Sequence, residues 1–83
     1  MNQLKPIGKV IHYYSGIGVA AIDLTDNLKV GDIIRIRGST TDFNQQIESM
    51  QIENELVNEA TKGQSVGIKV EEKVRYGDLI YKE

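Results

Sequence analysis

Leu28-Lys29-Val30-Gly31-Asp32, running into Ile33-Ile34-Arg35-Ile36-Arg37, decides the fold. It reads as a tight turn feeding a β-strand. Gly31 supplies the positive φ that such a turn needs, and Asp32 has a short carboxylate that can accept from nearby backbone amides. The residues that follow alternate: Ile34 and Ile36 point one way, while Ile33, Arg35 and Arg37 point the other. This is the pattern of a half-buried antiparallel strand. The unit recurs. Lys62-Gly63-Gln64 precedes Val66-Gly67-Ile68-Lys69-Val70, and Gly77-Asp78 precedes Leu79-Ile80-Tyr81. Three turn-then-strand units in a chain of 83 residues indicate a small all-β domain.

That length allows a single domain, residues 1–83, with Met1–Lys5 a frayed lead-in. A hydrophobic share of 40% and a charged share of 27% suit a globular chain. Ten basic and twelve acidic residues give a net charge of −2, which weighs against strong non-specific nucleic-acid binding. There is no cysteine, hence neither a disulfide framework nor thiolate chemistry, and a cytoplasmic location is expected. Met1–Gly8 lacks the apolar run of a signal peptide. The longest apolar run, Val19–Ile22, is far too short to span a bilayer, so no membrane partner is expected.

Six strands can be placed along the chain. Gly8–Tyr14, rich in β-branched and aromatic residues, is the first, and Ile17–Leu24 the second, after the turn signal Ser15-Gly16. Asp32–Arg37 is the third. Phe43–Glu53 is the fourth: the step from Ile47 to Met50 breaks the two-residue period, which a bulge near Glu48-Ser49 explains. A helix over Asn44–Ile52 is the rival reading, because Ile47 and Met50 lie three apart. Glu55–Lys62 is a helical turn or an irregular crossover. Ser65–Glu71, with Val66, Ile68 and Val70 inward, and Gly77–Lys82 complete the set. Six such strands close most readily into a barrel, which removes exposed edges.

The sequence gives little support to catalysis. The one histidine, His12, sits beside Tyr13 and Tyr14 in a strand and is read as structural. One histidine and scattered carboxylates match no zinc or EF-hand pattern, so no metal is expected. Gly16-Ile17-Gly18 is only a fragment of a phosphate loop and lies between strands, so neither cofactor nor small-molecule substrate is expected. What remains is a binding surface, set against the plainer reading that alternate tyrosines pack in the core and the arginines are ordinary solvated residues. Arg35 and Arg37 share a strand face, Lys69 lies outward on another strand, and Tyr13 and Tyr76 supply rings of the kind that small barrels use to hold nucleic-acid strands.

Three stretches carry a resemblance: Gly16-Ile17-Gly18-Val19-Ala20-Ala21-Ile22, Leu28-Lys29-Val30-Gly31-Asp32, and Ala60-Thr61-Lys62-Gly63-Gln64-Ser65-Val66-Gly67-Ile68. In this order they resemble the second domain of translational GTPases such as elongation factor Tu, and short stand-alone proteins called translation elongation factor-like. The chain is also similar to the barrel at the C-terminus of some collagenase-like peptidases. The resemblance implies a closed six-stranded Greek-key barrel of the elongation-factor domain 2 type. It further implies a non-catalytic module acting in translation through the ribosome, tRNA or rRNA. The alternative is an adaptor or accessory barrel docking on a GTPase or a collagenase-like peptidase. The strand that holds the tRNA end in that family aligns with Met50-Gln51-Ile52-Glu53. Gln51 stands at the family's carboxylate and Glu55 follows where the family has bases, a charge that repels phosphate.

Overall fold

The computed structural model describes residues 5–83, so most of the stretch expected to be a frayed lead-in lies outside the described residues. Every described element is a strand: β1 (Gly8–Tyr14), β2 (Val19–Leu24), β3 (Leu28–Lys29), β4 (Ile33–Arg37), β5 (Asp42–Gln46), β6 (Met50–Ile52), β7 (Glu55–Val57), β8 (Glu59–Ala60), β9 (Ser65–Lys69) and β10 (Leu79–Lys82). Eight of them form one antiparallel sheet in the order β5-β4-β10-β1-β2-β9-β6-β7, and β3 pairs with β8 separately. Among the described residues no helix is long and apolar enough to cross a membrane.

The all-β expectation holds, but the expected closed six-stranded barrel is corrected to an open, curled eight-stranded sheet. The chain read as one strand over Phe43–Glu53 breaks at Ile47–Ser49, and its two parts take different partners: β5 pairs with β4, and β6 pairs with β9. The expected crossover after Asn54 is instead a hairpin, β6–β7. It turns on Glu53 and Asn54, whose φ values of 52° and 68° are the two consecutive positive angles of a type I′ turn.

The break dictates the curl. Six inter-strand spacings separate β5 from β6, about 29 Å if the sheet were flat. The chain from Gln46 to Met50 spans at most about 15 Å. The sheet must therefore bend round until its ends approach, and the side chains on its inner surface become the core: Val10, Ile22, Ile34, Ile36, Met50, Ile68 and Ile80 are all fully buried.

One buried side chain spans the remaining seam. The Gln45 amide donates to the Lys69 carbonyl at 2.8 Å and accepts from the Glu71 N–H at 2.8 Å. It offers that strand end one donor and one acceptor, as a neighbouring backbone would.

The three turns read from the sequence are built alike. In Lys29–Asp32, Thr61–Gln64 and Arg75–Asp78 the fourth N–H bonds the first carbonyl at 3.1 Å. The third residue is a glycine at φ +98°, +91° and +90°, which is the type II requirement. In each, the fourth side chain accepts from the first N–H: Asp32 from Lys29 at 3.0 Å, Gln64 from Thr61 at 2.8 Å and Asp78 from Arg75 at 2.9 Å. The glycine then donates to the carbonyl of one buried residue in the adjoining strand or, for the first corner, just past its end, and that residue's N–H donates to the carbonyl of the fourth residue. Those buried residues are Ile47, Leu24 and Val10. Two residues thus oppose one, the arrangement of a G1 bulge that increases twist. Buried apolar residues flank every corner at the same interval: Leu28 and Ile34, Ala60 and Val66, Val74 and Ile80.

A further bulge lies in β1. Val10 pairs with Ile22 and His12 with Ala21, so Ile11 has no opposite number. Beyond it Tyr13 turns to the core, while His12 and Tyr14 face out.

Alanine at Gly31, Gly63 or Gly77 meets no atom within 4 Å, so each should lose only the left-handed backbone cost, about 1–2 kcal/mol and similar for all three. Gly38→Ala should lose more, because its Cβ runs into the buried Asp78 carboxylate. Gln45→Leu strands two backbone groups and should cost about 2 kcal/mol. Urea denaturation checks the series. A Gln45→Leu loss below the corner-glycine losses would refute the seam role.

Candidate interaction surface

The expected basic and aromatic residues divide over the sheet. Arg35 and Arg37 project from β4, where their cross-strand neighbours on β10 are Tyr81 and Leu79. Lys9 of β1 is the next neighbour of Leu79. Tyr76 sits at the second position of the third corner, with the Lys9 ammonium 5.4 Å from its ring centroid, a cation–π contact. Arg35, Arg37 and Tyr76 therefore do belong to one region, on the outer side of β4, β10 and β1.

Arg35 is already engaged. Its guanidinium grips Asp42 with two bonds, Nε to Oδ1 at 2.9 Å and Nη2 to Oδ2 at 3.0 Å. Arg37 approaches the same carboxylate at 4.0 Å. The Arg35 bonds hold the Asp42 carboxyl below its ordinary range and raise the Arg35 guanidinium. A two-pronged pair of this kind fixes the fork instead of leaving it open for a phosphate.

The other expected site residues lie elsewhere. Lys69 is on β9, with β10, β1 and β2 between it and β4. Gln51 is on β6, beyond β9. Tyr13 packs against the core. Charge is segregated as well. From Gly38 to Thr61 there are five acids (Asp42, Glu48, Glu53, Glu55 and Glu59) and no Lys or Arg, so that stretch carries −5 and the rest of the chain +3. Gln51 thus lies in the acidic part of the chain.

A second surface was not read from the sequence. Cross-strand pairing lines up Leu56, Gln51, Gly67, Ala21 and His12 over β7, β6, β9, β2 and β1. Small residues occupy the middle of this outward row. At one end Leu56 is 74% exposed; at the other the His12 and Tyr14 rings meet with centroids 4.2 Å apart. Ile17, in the hairpin after Tyr14, is 67% exposed. Leu56 was hidden because the stretch holding it reads as crossover; the Glu53-Asn54 pair is a weak turn signal that could have revealed the hairpin. Among the described residues there is no cavity and no cluster of three potential metal ligands.

No protein-family model matches the chain. It is 43% identical over 76 residues to a protein of Methanocaldococcus jannaschii described as an uncharacterized protease, a match covering 90% of this chain and 19% of that protein. It is 42% identical over 78 residues to a collagenase of Porphyromonas gingivalis, covering 92% of this chain and 22% of the collagenase. The chain thus spans about a fifth of the length of these curated relatives. Two solved structures share the fold, both of the C-terminal domain of a Geobacillus thermoleovorans protein assigned to the U32 peptidases. One has a TM-score of 0.90 at 24% identity, covering 95% of this chain and 92% of that one. Its selenomethionine variant has a TM-score of 0.89 at 23% identity, covering 94% and 99%.

These findings overturn the elongation-factor reading, and with it the expected role in translation through ribosome, tRNA or rRNA: the relatives are named as proteases and the structural neighbours are peptidase domains. The accessory alternative fits them better.

Because the Asp42 carboxyl is depressed when folded, the unfolded chain takes up this proton first as pH falls. The pair's stabilisation is present above the ordinary carboxyl value of 3.8 and is lost below it. Asp42→Asn should therefore flatten the fall of Tm below about pH 4, by the small amount expected of an exposed pair. Superimposable Tm–pH curves would show that the pair does not form in solution.

Proposed function

We propose that the chain is a non-catalytic docking module of the kind attached to U32-type peptidases and collagenases, and that it seats on a peptidase domain through the outer face of β7, β6, β9 and β2. The reading rests on Leu56. A leucine 74% exposed on an end strand does nothing for the core, whereas a large apolar group on a short, tightly turned hairpin suits an interface anchor. Gly67 and Ala21 beside it keep the surface low, so a partner can approach the backbone closely. His12 and Tyr14 give the far end an aromatic border. The relatives support the same reading, since this chain matches only a fifth or so of proteins named as proteases and leaves most of each to carry the chemistry. The absence of cysteine suits a reducing compartment such as the cytoplasm.

The test is calorimetric titration of this chain into the peptidase portion of the Methanocaldococcus jannaschii relative, produced without its matching segment. A one-to-one complex is expected, and Leu56→Asp should weaken it by at least about tenfold, in line with a hot-spot residue. The chain alone should leave peptide substrates intact. Hydrolysis by the isolated chain, or equal binding by Leu56→Asp, would refute the reading.

A further inference from the structure

The three corners allow a comparison within one molecule. They share turn type, side-chain cap and bulge, and differ at the exposed second position, which is Val30, Lys62 and Tyr76. The corner thus forms equally well around a valine, a lysine or a tyrosine. A tyrosine 71% exposed at that position has no role in making the turn, and its ring is held out on rigid backbone. Tyrosine is among the residues enriched at the hot spots of protein interfaces.

The surroundings of Tyr76 indicate what it meets. Lys9 lies over its ring, Arg75 precedes it, and Arg37 stands across Leu79 from Lys9. Among the described residues Lys9 and Arg75 enter no ion pair, and Arg37 has only a share of Asp42, whose tighter bonds go to Arg35. The acids near this region are already engaged: Asp23, opposite Lys9, accepts from the Ser65 hydroxyl at 2.6 Å, and Asp78 is buried as the corner cap. The outer face of β1, β10 and β4 therefore presents an aromatic and aliphatic centre between Lys9 and Arg75, which enter no ion pair among the described residues, and the partly paired Arg37, on a chain that is negative overall.

We propose that this face, made by Tyr76, Lys9, Leu79, Arg37 and Arg75, binds an acidic, extended peptide segment. An apolar side chain would rest on Tyr76 and Leu79, with carboxylates reaching Lys9 and Arg37. Those two cations project from strands two spacings apart, about 10 Å. Two acids three residues apart in polyproline II form lie on one side of the peptide about 9 Å apart, so the spacing matches. The face is separate from the Leu56 surface, and neither proposal depends on the other.

The probe is the peptide Pro-Glu-Pro-Phe-Glu-Pro, titrated into the isotopically labelled whole chain and followed by amide NMR shifts. Saturable shifts are expected at Lys9, Arg37, Tyr76 and Leu79 and not at Leu56, with affinity falling as salt is raised. Tyr76→Val, which copies the first corner, should keep the dispersed spectrum of the fold and weaken binding by at least about tenfold. Arg37→Gln is the second variant and should weaken binding without touching the corner. The proposal is overturned if no saturable shift appears by about 1 mM peptide. It is equally overturned if a peptide with lysines in place of both glutamates binds as well, if a single-stranded RNA hexamer moves the same amides more strongly, or if both variants bind like the parent.

Discussion

Three residues, Ile47, Glu48 and Ser49, impose the shape of this molecule. They join the strand at one end of an eight-stranded sheet to a strand next to the other end, and they are too few to reach across a flat one. The curl, the enclosed core and the approach of the two ends all follow from that short link. Backbone pairing does not complete the circle, and the Gln45 amide supplies a donor and an acceptor at the seam. The corners contribute in the same direction, because each G1 bulge adds twist where the chain enters a strand.

What could be read from the sequence was what is locally determined. A glycine followed by Asp or Gln and then an alternating strand specifies a corner through backbone angles and one side-chain hydrogen bond, and all three corners form as such. The alternation in Ile33–Arg37 and Ser65–Lys69 sorted core from surface correctly for the same reason. What was missed depends on distant partners. Gln45 looks unsuited to a strand until Lys69 and Glu71 are beside it. Leu56 looks like part of a crossover until β6 pairs with it. The interrupted strand read as one because its break is visible only when β4 and β9 take its two halves.

The mistaken functional expectation has a related cause. The residues that resemble translation factors are corner and core residues: Leu28, Gly31, Asp32, Ala60, Gly63, Gln64 and Ile68. They encode how a chain turns and packs, and a fold can serve unrelated activities. The candidate site was half legible. Arg35, Arg37 and Tyr76 do fall in one region, but sequence spacing could not show that Asp42 occupies Arg35, nor that three strands separate Lys69 from it. The relatives are named as a protease and a collagenase and the structural neighbours are peptidase domains, so what sets this fold apart from translation factors must reside in its exposed surface.

The single unmatched residue in β1 bears on how such surfaces persist. If Ile11 were removed and pairing continued from Val10, His12 would still stand opposite Ala21 and Tyr13 opposite Ala20, so every side chain beyond it would keep its face; were Ile11 instead paired with Ala21 in regular register, His12 and Tyr14 would swing to the core and Tyr13 to the solvent. The one extra residue is therefore absorbed where it sits, and the bulge keeps both the exterior and the interior of the strand beyond it unchanged. In a lineage, a bulge of this kind lets a strand gain or lose one residue in a single step, with no exposed or buried side chain beyond it exchanged.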